Sequence, residues 1–316
     1  MWLQPWLVSV ARLVTGGYYH VTVAGDVVPP EGPVLVVANH PNMLLDPLLA
    51  TAAGGRPLRF VAKSPLFSVP ILGMVLRAVG ALPVYRRRDG APATGNNDQA
   101  LRDIIAALGA GDAVLIFPEG TSAEAGDLLP FKSGASRILL AALRRGIRPT
   151  VIVAGLSYAQ REQHGAHVTV RLQAIDPLRD LPARPDDPVT VRTLTDRLER
   201  TVRGLLARGT LAPGNRQPVA RWGGVLMPVR LMALHWPMRV AHRLADRLPL
   251  AREERATQHL TLGLAMLLVS WVLVGLAGAW WAGWHGATLG ALIFPCGILG
   301  GAACSTGWAT DLRERR

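Results

Sequence analysis

Residues 113–117 read AVLIF, and PEGTS follows at 118–122. Five apolar side chains in succession, opened by Gly111 and Asp112 and closed by Pro118, make a run of strand length. The lack of polar alternation marks a strand covered on both faces, as in a parallel sheet with helices on each side. The same pattern holds upstream at 34–38 (VLVVA), which runs into Asn39 and His40, and downstream from Thr150 to Leu156. Shorter strands are expected at 20–24, 58–62 and 81–85, and residues 167–172 alternate as an edge strand would. Helical spacing lies between them at 43–53, 69–79, 98–108, 136–143 and 186–206. The last segment carries Leu194, Leu198, Val202 and Leu205 on one stripe. Strand and helix alternate throughout, so the expected fold class is α/β, a mostly parallel sheet flanked by helices.

The chain has 316 residues and a net charge of +12, almost all of the positive charge arginine, since Lys63 and Lys132 are the only lysines. So basic a chain suits nucleic acid, or an anionic lipid surface and phosphorylated substrates. No Cys/His finger, aromatic RNP run or helix-turn-helix pattern is present. Membrane lipids are therefore expected partners, and nucleic acid is not. Cys296 and Cys304 both lie in an apolar tail and cannot build a disulfide framework for the rest of the chain.

That tail has no Lys, Arg, Asp or Glu between Arg255 and Asp311. Leu260–Gly283 and Ala287–Gly307 are each long enough for a span of about 20 residues, so a transmembrane helical hairpin is expected over 259–310. Tryptophans including Trp271, Trp280 and Trp308 suit interfacial belts. Arginines flank the hairpin on both outer sides and are missing from its central turn. The positive-inside rule then puts the rest of the chain on the cytoplasmic face of an integral membrane protein. Residues 211–258, arginine-studded and broken by Pro228 and Pro237, read as a linker and interfacial helices, or as ordinary surface helices. At the other end, Trp2, Trp6, Val10 and Leu13 share one helical face over residues 1–19. That segment is either an interfacial helix or one packed on the core of the domain expected at 20–210.

Three groups of residues carry chemistry. His40 follows a buried strand and precedes a helix, the place where α/β sheets put reacting groups. A neutral imidazole there can take the proton from an attacking hydroxyl, and Asp46 can hold its tautomer. A six-residue step turns by about 600° on a regular helix, so His40 must sit in the loop ahead of it. Glu119 and Gly120, after the AVLIF strand, offer a carboxylate for polyol hydroxyls and backbone N–H groups for phosphate or an oxyanion. Lys63 and Arg86 each close a strand and can converge on a phosphate. Each group alone has a plainer reading: a backbone-satisfied helix-start His, an exposed Glu in a turn, solvated surface cations.

Together these segments resemble the glycerolipid acyltransferase family, which includes glycerol-3-phosphate and lysophosphatidate acyltransferases. Four blocks fall in the family's order over residues 20–180: Asn39-His40 to Asp46, Phe60 to Lys63 with Pro70 to Gly73 and Gly80 to Arg86, Phe117 to Gly134, and Val151 to Tyr158. The resemblance implies that His40 is the general base and Asp46 its orienter. It implies that Glu119, Gly120 and Thr121 bind the acceptor and that Lys63 and Arg86 bind its phosphate. It implies an acyl-CoA or acyl-carrier-protein thioester as donor and co-substrate, a phosphorylated glycerol as acceptor, and no metal or other cofactor. Five residues separate His40 from Asp46 where the common pattern has four, Ser122 stands where many relatives have Arg, and Val153 replaces a usual proline. The longer spacing, with Ser122 and the 127–130 stretch, is similar to members acting on glycerol-3-phosphate or dihydroxyacetone phosphate. The expected function is therefore O-acylation of one of these, with lysophosphatidate as the alternative acceptor. A non-enzymatic lipid-binding adaptor is the second alternative, set against by the intact His40 and Asp46. No Gly-x-Ser-x-Gly elbow occurs in the chain, which removes a serine hydrolase.

Overall fold

The computed structural model describes residues 4–43, 45–68, 70–85, 93–121, 127–163, 165–179, 187–211 and 308–311. Helix α1 (Gln4–Tyr18) leads into strands β1 (His20–Gly25) and β2 (Val34–Ala38). Helix α2 (Leu45–Gly54), β3 (Leu58–Lys63), α3 (Pro70–Val79) and β4 (Leu82–Val84) follow. Then come α4 (Ala93–Gly109), β5 (Ala113–Ile116), α5 (Gly134–Arg144), β6 (Thr150–Tyr158), β7 (His167–Ile175), α6 (Pro188–Ala207) and β8 (Trp308–Asp311). The sheet order is β4-β3-β5-β2-β6-β7-β1-β8, with one antiparallel pairing, β6 on β7. From β4 to β6 every neighbour is parallel, so five carboxyl ends share one rim, and β2 lies between β5 and β6 on it.

Alternation along each central strand divides the core into two layers. Val34, Val36 and Ala38 of β2, with Ala113 and Leu115 of β5 and Ile152, Ala154 and Leu156 of β6, face Leu45 and Leu49 of α2. Leu35, Val37, Val114, Val151 and Val153 face the opposite layer of α4, α5 and α6. Every residue of β2 and β5 is buried, which is what an unalternating apolar run requires. Each large aliphatic side chain so buried contributes about 1.5–3 kcal/mol.

Helix α6 lies against β6 where Gly155 leaves it room. A Cβ at Gly155 would stand 2.7 Å from the Leu205 Cβ. Gly155→Val should destabilise the fold by about 1–3 kcal/mol, read as a lower urea midpoint with unchanged m-value. An unmoved midpoint would show that α6 does not pack on β6 as closely as described.

Three expectations are corrected. Residues 167–172 are not an edge: β7 sits between β6 and β1, and Thr169 and Arg171 are buried. Their polarity is spent inside, where Thr169 Oγ1 accepts from the Leu211 N–H at 2.8 Å and Arg171 donates to the Gly209 carbonyl just past α6. Helix α4 begins at Ala93 rather than Asp98; Thr94, Gly95, Asn96 and Asn97, weak helix formers, hid its first turns. At the far end, residues 308–311 are a strand paired in parallel with β1, so Trp308 to Thr310 extend the sheet instead of ending a helical span. The rest of the expected hairpin and the 212–258 segment lie outside the described residues. Among the described residues no helix is long and apolar enough to cross a membrane.

The N-terminal helix packs on the domain through one face. Leu7, Ala11, Thr15 and Tyr18 of α1 are buried, and the helix packs on α2. Trp6 and Val10, from the apolar stripe seen in the sequence, are 66% and 47% exposed on its other side.

Candidate active site

The chain leaves β2 by handing its hydrogen bonds to side chains. On the β6 side, the Asn39 amide takes over the ladder: Nδ2 donates to the Leu156 carbonyl at 3.0 Å, and Oδ1 accepts from the Leu156 N–H at 2.8 Å. On the β5 side, the His40 N–H donates to Glu119 Oε1 at 2.6 Å. With both flanks satisfied, the backbone turns out of the sheet. Met43 completes the turn in the left-handed region, at φ 37°, a conformation uncommon for a side-chain-bearing residue. Leu45 then opens α2, and Asp46 lies in its first turn. His40 is thus in the loop and Asp46 on the helix, and the six-position step closes.

The closure is a short polar network. His40 Nδ1 lies 2.9 Å from Asp46 Oδ2. That carboxylate is fully buried, and the imidazole keeps 19% of its surface open. The same Oδ2 accepts from the Asn42 N–H at 2.6 Å, and Oδ1 accepts from the Tyr158 hydroxyl at 2.5 Å. An ionised carboxylate only accepts, so the proton on the ring stands at Nδ1, and the Nε2 lone pair is left for a substrate. Phe117 continues the α2-facing side of β5 and stacks on the imidazole, centroids 4.1 Å apart and planes 15° apart. The ring is held by a carboxylate on its edge and an aromatic on its face.

A second tier supports the loop. Asn42 Nδ2 donates to the Tyr19 oxygen at 2.7 Å and to the Arg161 carbonyl at 3.2 Å. Tyr19 in turn donates to that carbonyl, and Arg161 Nη1 donates to the Pro41 carbonyl at 3.1 Å. Burial pushes the Tyr19 phenol far above its ordinary value, so it stays a neutral donor.

The Glu119 carboxylate is 2% exposed, and its second oxygen accepts from the Leu129 N–H at 3.0 Å. It clamps the His40 backbone to the loop after β5. Burial raises its pKa, and the two backbone N–H bonds, from Leu129 and His40, oppose that rise. Gly120 follows at φ 72° with its N–H on the Phe117 carbonyl, and Lys132 Nζ stands 2.6 Å from where a Cβ would be. A side chain at 120 would meet both a strained backbone and this ammonium, so Lys132 joins the rim. Thr121 is half-buried beside Gly120.

The structure therefore gathers His40, Asp46, Glu119 and Gly120. Lys63 ends β3, two strands from β2 on the same rim. Arg86, with Arg87, Arg88 and Ser122, lies outside the described residues. Sequence reasoning gave no role to Asn39, Asn42, Phe117, Tyr158, Tyr19 or Arg161. The first four lay inside the quoted blocks, where their adjacency to His40, Glu119 or a strand end was the available signal. Among the described residues no cluster of three or more His, Cys, Asp or Glu could hold a metal ion. Chemically, the arrangement is a buried carboxylate, an oriented imidazole and nearby cations, suited to deprotonating a hydroxyl on a negatively charged substrate.

The acyltransferase family profile matches residues 20–156. The chain is 34% identical over 125 residues to a 1-acyl-sn-glycerol-3-phosphate acyltransferase of Chlamydomonas reinhardtii, covering 38% of this chain and 35% of that one. It is 29% identical over 140 residues to the 1-acyl-sn-glycerol-3-phosphate acyltransferase of Borreliella burgdorferi, covering 44% and 50%. The chain thus spans half or less of the length of these two relatives. Among solved structures, it is similar to the 1-acyl-sn-glycerophosphate acyltransferase of Thermotoga maritima. That likeness has a TM-score of 0.46 and 22% identity, over 65% of this chain and 81% of that one.

Proposed function

We propose, since residues 20–156 belong to the acyltransferase family, that the chain moves a fatty acyl group from a thioester to the free hydroxyl of a 1-acylglycerol-3-phosphate. The observation that carries the chemistry is the 2.9 Å contact between His40 Nδ1 and a buried Asp46. His40 Nε2 takes the acceptor's hydroxyl proton as its oxygen attacks the thioester carbonyl carbon. The tetrahedral intermediate collapses, the C–S bond breaks, and the imidazolium returns the proton to the leaving thiolate. Asp46 accepts from the ring at Nδ1 and steadies the imidazolium. Glu119 fixes the backbone of the base, and Lys63, Lys132 and Arg86 are the cations offered to the acceptor's phosphate.

The sequence reading put glycerol-3-phosphate or dihydroxyacetone phosphate first. The names of the relatives favour lysophosphatidate, and it takes the first place here. The longer step from His40 to Asp46 keeps glycerol-3-phosphate as the second reading. An acyl-CoA or acyl-carrier-protein donor, no metal, and a membrane attachment through the apolar stretch of residues 259–307 with the catalytic domain on the cytoplasmic face complete the proposal. The test is a purified full-length assay. It crosses acyl-CoA and acyl-carrier protein with lysophosphatidate, glycerol-3-phosphate and dihydroxyacetone phosphate. The highest kcat/KM is expected with lysophosphatidate; a tenfold preference, on the order of 1.4 kcal/mol, for either small acceptor would reverse the assignment.

A further inference from the structure

We propose that Tyr158, at the end of β6, is a positioning residue for the His40–Asp46 pair, its hydroxyl holding the carboxylate in place and tempering its charge. The inference rests on the reading of His40 as base. Asp46 is fully buried and carries three donors: His40 Nδ1, the Asn42 N–H and the Tyr158 hydroxyl. His40 and Asn42 share Oδ2, whereas Oδ1 has Tyr158. Tyr158 therefore decides the carboxylate's rotation about its own axis, and with it the direction in which Oδ2 meets the imidazole. Its reach is built into the sheet. Ile152, Ala154 and Leu156 point to the α2 layer, and Tyr158 is the next residue of that alternation, four residues past the last β2–β6 pair at Ala154. The ring packs edge-on against Tyr19, centroids 5.4 Å apart, which fixes where the hydroxyl lands.

The bond also sets proton affinity. A carboxylate that shares its charge with several donors attracts an imidazolium less strongly than one with a bare oxygen. Burial, with the adjoining Asp46 charge next in size, pushes the Tyr158 phenol well above its ordinary range, so the donor keeps its proton wherever the base works. Among the described residues, the ionisable groups around the pair include Glu119 and Lys132 from the loop after β5, Tyr19 between α1 and β1, and Arg161 beyond β6. Tyr158→Phe alters none of these side chains.

Tyr158→Phe in the full-length protein keeps the ring and its contact with Tyr19. It should lower kcat about tenfold, with KM for either substrate moving less than about twofold. The acid limb of the kcat/KM profile should move up by about half to one pH unit, because the imidazole holds its proton to higher pH. The His40 ring titration followed by NMR, assigned by its loss in His40→Gln, should move in the same direction whether or not the acceptor has been identified. Superimposable profiles and titrations, with only the melting temperature lowered, would reduce Tyr158 to packing and overturn the proposal. A wild-type protein that transfers no acyl group, but whose His40 titration still moves in Tyr158→Phe, would sink the acyl-transfer reading and leave the coupling standing.

Discussion

His40→Ala should lower kcat for acyl transfer by about three to four orders of magnitude, the upper part of what a positioned general base contributes. KM for both substrates should change little, since the Nε2 proton transfer belongs to the transition state. The fold should survive. The imidazole is partly open and outside the strand ladder, and the His40 N–H to Glu119 bond uses backbone that alanine also has. What is lost is one face of the Phe117 stack and one donor to Asp46. The measurement is steady-state turnover beside a thermal melt. A folded variant retaining more than about a tenth of wild-type kcat would dismiss His40 as the base.

Asp46→Asn should cost nearly as much, by a different route. The carboxylate accepts from all three of its partners. A carboxamide has one accepting oxygen and one NH2 group, so one side must now donate. If the NH2 turns toward His40, the ring must accept at Nδ1 and carry its proton on Nε2, the wrong tautomer for a base. If it turns toward Tyr158, the phenol oxygen must accept and its own buried O–H loses its acceptor. A loss of about three to four orders of magnitude in kcat is expected, comparable to the cost of the wrong tautomer in serine-protease triads. The lost charge also removes the stabilisation of the imidazolium. An Asp46→Asn enzyme with near-normal turnover would mean that His40 works without its carboxylate.

The two layers of the core and the parallel half of the sheet could be read from the chain. Runs such as VLVVA and AVLIF admit few placements other than between helices, and the His40–Asp46 spacing demanded a loop before α2. What could not be read was which polar groups look inward. Thr169 and Arg171 alternate with valines as solvent-facing residues do, yet they are buried because the chain after α6 brings them carbonyl and N–H partners. Glu119 had the composition of a substrate ligand, and its burial against two backbone N–H groups follows from how the loops after β2 and β5 meet. Tyr158 closed the fourth quoted block with no role assigned to it. Its hydroxyl gains a meaning only when β6 is laid beside β2, a pairing between residues far apart in the chain.

That distance has a kinetic consequence. The bonds that shape the loop at His40 join residues 79 positions apart for Glu119, 112 between Asp46 and Tyr158, and 117 between Asn39 and Leu156. Contacts of such high order form only after large loops have closed, so they belong among the slow events of folding. On refolding, helical signal should return well before turnover does, and enzyme activity serves as a reporter for the last-assembled part of the sheet.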